Sequence, residues 1–332
     1  MLKAAAALGF VLLAAVAVAS VERDLCTPRA LHEAQYVRAG QCQRCHPDHS
    51  ASFGRTFHRT MTQLASERSV RGDFQQRELD YFGVRAQLTR GHDGGFRVAY
   101  QLPGSLPEQF EIVMTVGSRR YQQYIARRGA ELVRLPVAYH LEEQRWFHMN
   151  GAFLTPDPAT PLARADFERH VTRWNDNCVF CHNVAPNPGK RRGHDGDHFD
   201  TQVAELGIAC EACHGPGEEH ARANANPLRR YALHLGGRAD PSIVNPARLS
   251  AARALDVCGR CHGQRITDDV ERFLRQGDPF VPGDDLALYS APLWRDTTLQ
   301  GETAFTTRFW PDGTPRLTAY EYQGTLQSPC AQ

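Results

Sequence analysis

Four times in the chain two cysteines stand three apart with a histidine directly after the second. The runs are Cys42-Gln43-Arg44-Cys45-His46, Cys178-Val179-Phe180-Cys181-His182, Cys210-Glu211-Ala212-Cys213-His214 and Cys258-Gly259-Arg260-Cys261-His262. With 10 Cys and 15 His in 332 residues, random placement gives about 0.01 such runs. The spacing is the attachment signature of c-type haem, in which two thiols bond to the porphyrin edge and the adjacent His takes an axial place on the iron. Two plainer readings compete. Zinc ribbons also use Cys-x-x-Cys pairs, but two pairs must share one tetrahedral metal and no His need follow each. A dithiol redox centre uses one such pair, normally a single copy. The His in every copy favours haem c, four covalently bound in this chain.

The N-terminus fits that reading. Lys3 supplies a positive charge, residues 4–21 carry none, and Ala17-Val18-Ala19 has the small-residue pattern of a cleavage site. Residues 1–20 are therefore expected to be a signal peptide. The uncharged run is short and Ala-rich for a membrane span, and no later segment is apolar enough to cross. The mature chain is expected to be exported or periplasmic, with no membrane span after cleavage. A formal charge of +1 argues against nucleic acid as a partner.

The 132 residues between Cys45 and Cys178 contain no cysteine. Residues 27–70 form a first haem segment, with Arg55 to Leu64 expected as part of a short helix. Residues 78–150 read as an inserted antiparallel β subdomain. Phe82, Val84, Ala86 and Leu88 alternate with polar or small neighbours, as do Phe96, Val98, Tyr100 and Leu102 after the turn His92-Asp93-Gly94-Gly95. Phe110, Ile112, Met114 and Val116 make a third run; Val133, Leu135 and Val137 suggest a fourth. Residues 157–332 read as a haem domain with three further sites. Phe167, Val171 and Trp174 are spaced as one helix face before the second motif, and Leu249, Ala252 and Leu255 before the fourth. Asp268 or Asp269 can cap a helix through Val270, Phe273 and Leu274 that stops near Gly277. Phe305–Trp310 and Arg316–Gln323 are expected to form a hairpin around a Pro/Gly turn. The fold class is α+β with much irregular structure: short helices around stacked haems plus the β insertion.

Beyond His46, His182, His214 and His262, eleven His remain, a surplus that favours two axial imidazoles per iron. His220 leads, because Gly215-Pro216-Gly217 bends the chain sharply after the third motif. His58, shortly after the first motif, and His148, in the aromatic run Arg145-Trp146-Phe147-His148, follow. His170, His194, His198, His234 and the thioether of Met61 are weaker candidates. Cofactor attachment falls to Cys42, Cys45, Cys178, Cys181, Cys210, Cys213, Cys258 and Cys261. No side chain is assigned a catalytic role.

Four strings resemble a known group. They are Trp174–Asn183, Gly207–Gly217, Val257–Arg265 and Phe309–Thr314, and together they are similar to exported multihaem cytochromes related to the cytochrome c-554 kind, some of which carry tetratricopeptide repeats. The resemblance covers most of residues 40–330. It implies closely stacked bis-His haems, electron transfer between redox protein partners, and support for His58, His148 and His220 as ligands. In such relatives a segment like Gln327-Ser328-Pro329-Cys330 leads into another motif, which leaves two expectations: a fifth haem in a longer chain, or a fifth haem that is absent. Cys26 and Cys330 are left over and are candidates for a disulfide in an oxidising compartment. The competing class is an oxidoreductase in which one iron keeps an open face for a small nitrogen or sulfur oxyanion-type substrate.

Overall fold

In a computed structural model of the protein, the structure describes residues 34–149, 171–194, 196–298, 306–316 and 320–329. The expected signal peptide, Cys26, Phe167, His170, Phe305 and Cys330 lie outside them. The chain is mixed helix and sheet and divides into two compact units. One is drawn from Met1–Pro47, Cys210–Ile266 and Pro279–Gln332, the other from Asp48–Ala209 and Thr267–Asp278. The division runs across the segments read from sequence. The first, third and fourth motifs share one unit, and the second belongs with the sheet.

The sheet unit is built on nine antiparallel strands: β1 (Thr62–Leu64), β2 (Arg77–Tyr81), β3 (Val84–Arg90), β4 (Phe96–Gln101), β5 (Glu108–Val116), β6 (Tyr121–Arg128), β7 (Glu131–His140), β8 (Arg145–His148) and β9 (Thr172–Arg173). β2 to β8 pair in sequence order, β1 joins β5, and β9 joins β7. The alternation in the sequence is the cause. Val84, Ala86, Leu88, Phe96, Val98, Tyr100, Phe110, Ile112, Val133, Leu135 and Val137 all fall in one buried cluster, because every second side chain of a strand points the same way. The turn after β3 closes as expected: Asp93 Oδ1 accepts the Gly95 N–H at 3.0 Å, and Gly94 takes φ +79°, a conformation glycine adopts without steric cost.

β6 was not legible. An inward position there is held by Gln122, fully buried. Its Oε1 accepts from Arg71 N (2.8 Å) and Tyr124 Oη (3.0 Å), and its Nε2 donates to Ser69 O (2.9 Å). A polar residue that is satisfied internally breaks the hydrophobic pattern while still belonging to the core.

Three expected elements differ. The helix over Arg55–Leu64 is absent; residues after Gly54 form turns, and Thr62–Leu64 is β1, paired with Met114–Val116. The unpaired edge of β5 offers a ladder that outweighs local helical preference. Before the second motif, Thr172–Arg173 is extended against β7, and Trp174–Cys178 forms a wide π turn. There Trp174 and Val179 pack with Met114, Val116 and Ile125. Among the described residues, the expected C-terminal hairpin shows one bridge, Phe309 to Pro315, and Glu321–Leu326 is helical, with Tyr322 drawn into a core with Phe280 and Leu286.

The other unit is a set of short helices: Ala39–Gln43, Cys210–His214, Glu218–Ala223, Pro227–Gly236, Ala251–His262 and Glu321–Leu326. Ser250 caps Ala251–His262, the helix expected from Leu249, Ala252 and Leu255. In the sheet unit, Asp269 caps Val270–Gln276, which ends at Gly277 as its sequence indicates. Among the described residues, no helix is long and apolar enough to cross a membrane.

Candidate functional site

All four Cys-x-x-Cys-His runs are helical turns. At Cys42 the carbonyl accepts from Cys45 N (3.1 Å) and His46 N (2.9 Å). Residues three and four apart on a helix share a face, so each turn presents two thiols side by side with its His next to them.

Beside the first motif stands the third. Glu211, between the two cysteines of the third motif, is a buried carboxylate. It accepts from Val37 N (2.9 Å), Arg38 N (2.8 Å) and Gly217 N (2.8 Å). Gln35 and Glu218 add a reciprocal pair: Gln35 N donates to Glu218 Oε2 at 3.2 Å, and Glu218 N donates to Gln35 O at 3.1 Å. Gly217 has no side chain because a Cβ there would press on Val37 Cγ2 at 3.1 Å and Glu211 Oε1 at 3.2 Å. Gly215, at φ +77°, reverses the chain directly after His214. The turn leads into the helix Glu218–Ala223, which carries His220.

The outcome is a facing pair. The His46 and His220 rings have centroids 6.2 Å apart and planes 18° from parallel. Two imidazoles that bind one metal through facing ring nitrogens, at about 2 Å each, have centroids about 6 Å apart.

The donor tautomers agree. His220 Nδ1 lies 3.0 Å from Asp240 Oδ2. A nitrogen lone pair would be repelled by a carboxylate, so Nδ1 carries the proton and Nε2 is left as a donor for a metal. His214 Nδ1 is 2.8 Å from the Val244 carbonyl, which accepts and so fixes the same tautomer. His262 Nδ1 is 3.4 Å from Glu321 Oε2. His182 is half-buried, its buried Nδ1 has no hydrogen-bond partner, and burial pushes its pKa down to about 4. It is therefore neutral, as a metal ligand must be. Burial pushes Asp240 upward, but the hydrogen bonds from Arg229, His220, Ser242 and Asn224 outweigh it and hold the carboxyl far below the usual range.

The thiols point away from dithiol chemistry. A hydrogen bond with Cys210, then burial, holds Cys42 well above the ordinary thiol range. Burial, with the neighbouring Cys261 and Cys258, pushes Cys213 up to about 11. Burial also raises Cys178 and Cys258. Redox-active dithiols need the opposite shift. Nor do two pairs assemble a zinc site: among the described residues no three His, Cys, Asp or Glu side chains are grouped to hold a metal ion. Covalent haem, which takes one axial His from each motif and a second from elsewhere, needs no such group. The donor set fits it.

Of the other candidates, His58 and His148 lie in the sheet unit with the second motif, and His234 lies in the helical unit. His58 sits in the turn before β1, its carbonyl accepting from Ile208 N (3.0 Å) and Met61 N (3.1 Å). Thr62 Oγ1 donates to the His182 carbonyl at 2.9 Å and so ties β1 to that motif. His148 is buried in β8 with its ring stacked on Tyr81, centroids 4.0 Å apart. Glu211, Asp240 and Arg229 were not anticipated. No periodicity marks them, and each owes its role to partners distant in sequence.

No family model matches the chain, and no curated protein is similar to it. Among solved structures, the chain is similar to the crystal structure of outer cell wall cytochrome OcwA at 17% identity and a TM-score of 0.49. The similarity covers 84% of this chain and 48% of that one, so the chain spans about half the length of that structure.

Proposed function

We propose that the chain is an exported multihaem c-type cytochrome that carries electrons between redox protein partners. The carrying observation is the His46–His220 pair. The 6.2 Å centroid separation matches the spacing of two imidazoles on one iron, and the hydrogen bond at His220 Nδ1 leaves Nε2 for it. In this reading Cys42 and Cys45, Cys178 and Cys181, Cys210 and Cys213, and Cys258 and Cys261 hold four haems. His46, His182, His214 and His262 would each supply an imidazole to one iron. His220 would supply a second to the iron of His46, while His58 and His148 are the candidates for other irons. Haem, when bound, supplies one-electron chemistry at iron.

The chain's own part is positional. Glu211 ties the backbone before the first motif to the third, so groups attached at Cys42 and Cys210 would be held near one another, as electron exchange between them demands. The small side-chain core of this unit, clustered about Phe280, Leu286 and Tyr322, is the expected partner of bulky prosthetic groups that fill the rest. Closed, six-coordinate iron suits a carrier; an open face suits a catalyst.

The test is the haem and iron content of the purified holoprotein with its spin states. Four haems per chain, low-spin and unchanged by carbon monoxide when reduced, are expected. His220→Ala should turn one haem high-spin, and His58→Ala and His148→Ala identify which other irons use them. A preparation without covalent haem overturns the reading. A haem that binds carbon monoxide in the unsubstituted protein transfers it to the oxidoreductase class.

A further inference from the structure

His220 does not stand alone behind the iron position. Its Nδ1–H meets Asp240 Oδ2 at 3.0 Å. The same oxygen accepts from Asn224 Nδ2 (2.7 Å) and Arg229 Nη1 (2.7 Å). The other oxygen accepts from Arg229 Nη2 (2.6 Å), Ser242 N (2.9 Å) and Ser242 Oγ (2.5 Å). Arg229 is 1% exposed, and its fork grips both carboxylate oxygens. Asn224 Nδ2 also bonds the His220 carbonyl at 3.0 Å, so ring and backbone of His220 are held by one cluster.

A buried ion pair of this kind is weak evidence for stability, because desolvation offsets the attraction. Its placement behind a ligand gives it another use. A carboxylate on the Nδ1–H of an imidazole makes Nε2 a stronger donor and fixes the ring's rotation. A stronger donor favours the oxidised iron. A cation bound two-pronged to that carboxylate draws its charge away and moderates the effect.

We propose that Asp240, opposed by Arg229 and Ser242, is the positioning residue that sets the ring plane and donor strength of His220 and thereby the potential of the haem held by Cys42 and Cys45. The proposal rests on the haem reading of His46 and His220. It makes this haem adjustable by side chains that touch neither iron nor porphyrin ligand directly, apart from the one hydrogen bond.

The signs are opposite at two positions, which a merely structural role would not produce. Asp240→Asn removes the negative charge and should shift the midpoint potential of one haem upward. Ser242→Ala removes a donor from the carboxylate, frees its charge toward His220, and should shift the same haem downward. Both should alter the low-spin paramagnetic resonance signal of that haem only. The measurement is a potentiometric titration of the holoprotein followed by optical and resonance spectra. If Asp240→Asn does not yield folded protein, Ser242→Ala carries the test. Potentials and signals unchanged in both variants, or shifts of one sign at all haems, overturn the proposal. His220→Ala separates the two levels. If it leaves every haem low-spin, the ligand reading itself fails. If it gives one high-spin haem while the other variants leave the potentials unmoved, only the role of Asp240 falls.

Discussion

Glu211 accepts the Val37 N–H at 2.9 Å although 173 residues separate Arg38, its next partner, from it. Replacing Glu211 by Ala strands three buried or half-buried N–H groups, those of Val37, Arg38 and Gly217. Each unsatisfied donor costs about 1–3 kcal/mol, so a loss of about 3–5 kcal/mol is expected in denaturant unfolding. Glu211→Gln keeps an acceptor oxygen and should cost about 1–2 kcal/mol. Amide exchange at Val37 and Arg38 should accelerate in the Ala variant; unchanged protection there would show that the clamp does not hold this segment.

Two glycines should respond to alanine with opposite signs. A Cβ at Gly259, inside the fourth motif, would lie 2.3 Å from Tyr322 Cδ2. Gly259→Ala is expected to cost about 1–3 kcal/mol through overpacking. Gly324 is exposed on the helix Glu321–Leu326 with nothing within 4 Å of its Cβ position. Gly324→Ala should gain about 0.5–1 kcal/mol from helix preference. Thermal unfolding of the two variants checks both.

Tyr322 gives a pH dependence. Burial, then donation of its hydroxyl to Asp256 at 2.8 Å, pushes its pKa up to about 12. The unfolded value is about 10, so the unfolded chain releases this proton first as pH rises. The contribution is fully present below pH 10 and is lost between about 10 and 12. Other buried tyrosines, such as Tyr100 and Tyr124, are raised as well. The difference between the unsubstituted protein and Tyr322→Phe therefore isolates the effect. It should narrow across that window, and a constant difference would remove Tyr322 from the alkaline loss.

In the sheet, Gln122→Leu keeps the volume and removes the partners of Arg71 N, Tyr124 Oη and Ser69 O. About 2–4 kcal/mol of destabilisation is expected, read by amide exchange across β5, β6 and β7. The spin state of the haem assigned to His46 and His220 should not change, because no residue of that pair belongs to the sheet unit.

The sequence pattern carried the sheet well wherever inward residues were apolar, as in Val84–Leu88, Phe96–Tyr100 and Glu131–His140. It failed where polar groups are satisfied inside, at Gln122, and where tertiary pairing overrode local preference, at Thr62–Leu64 and Thr172–Arg173. The four Cys-x-x-Cys-His runs were legible because their spacing repeats identically in the sequence. His220 could be singled out from its Gly-Pro-Gly turn, but its opposite number could not. Pairing with His46 depends on Glu211 and on Gln35 with Glu218, contacts between segments that share no periodicity. Asp240 and Arg229 were invisible for the same reason: an acid and a base on loop and helix look like ordinary surface until their burial is known.

The unit that holds His46 is left at Pro47 and re-entered at Cys210. A chain is made from its N-terminus, so the first half of the His46–His220 pair exists well before the second. Asp48–Ala209, the larger part of the sheet unit, is produced in between, and its other segment, Thr267–Asp278, only after His220. The interruption costs little at equilibrium, since closure entropy grows only with the logarithm of length. It matters for timing. For the interval between His46 and His220, the first motif has its thiols and one imidazole but no opposing ring, so the order of manufacture makes this pair's completion one of the late events in the life of a new molecule.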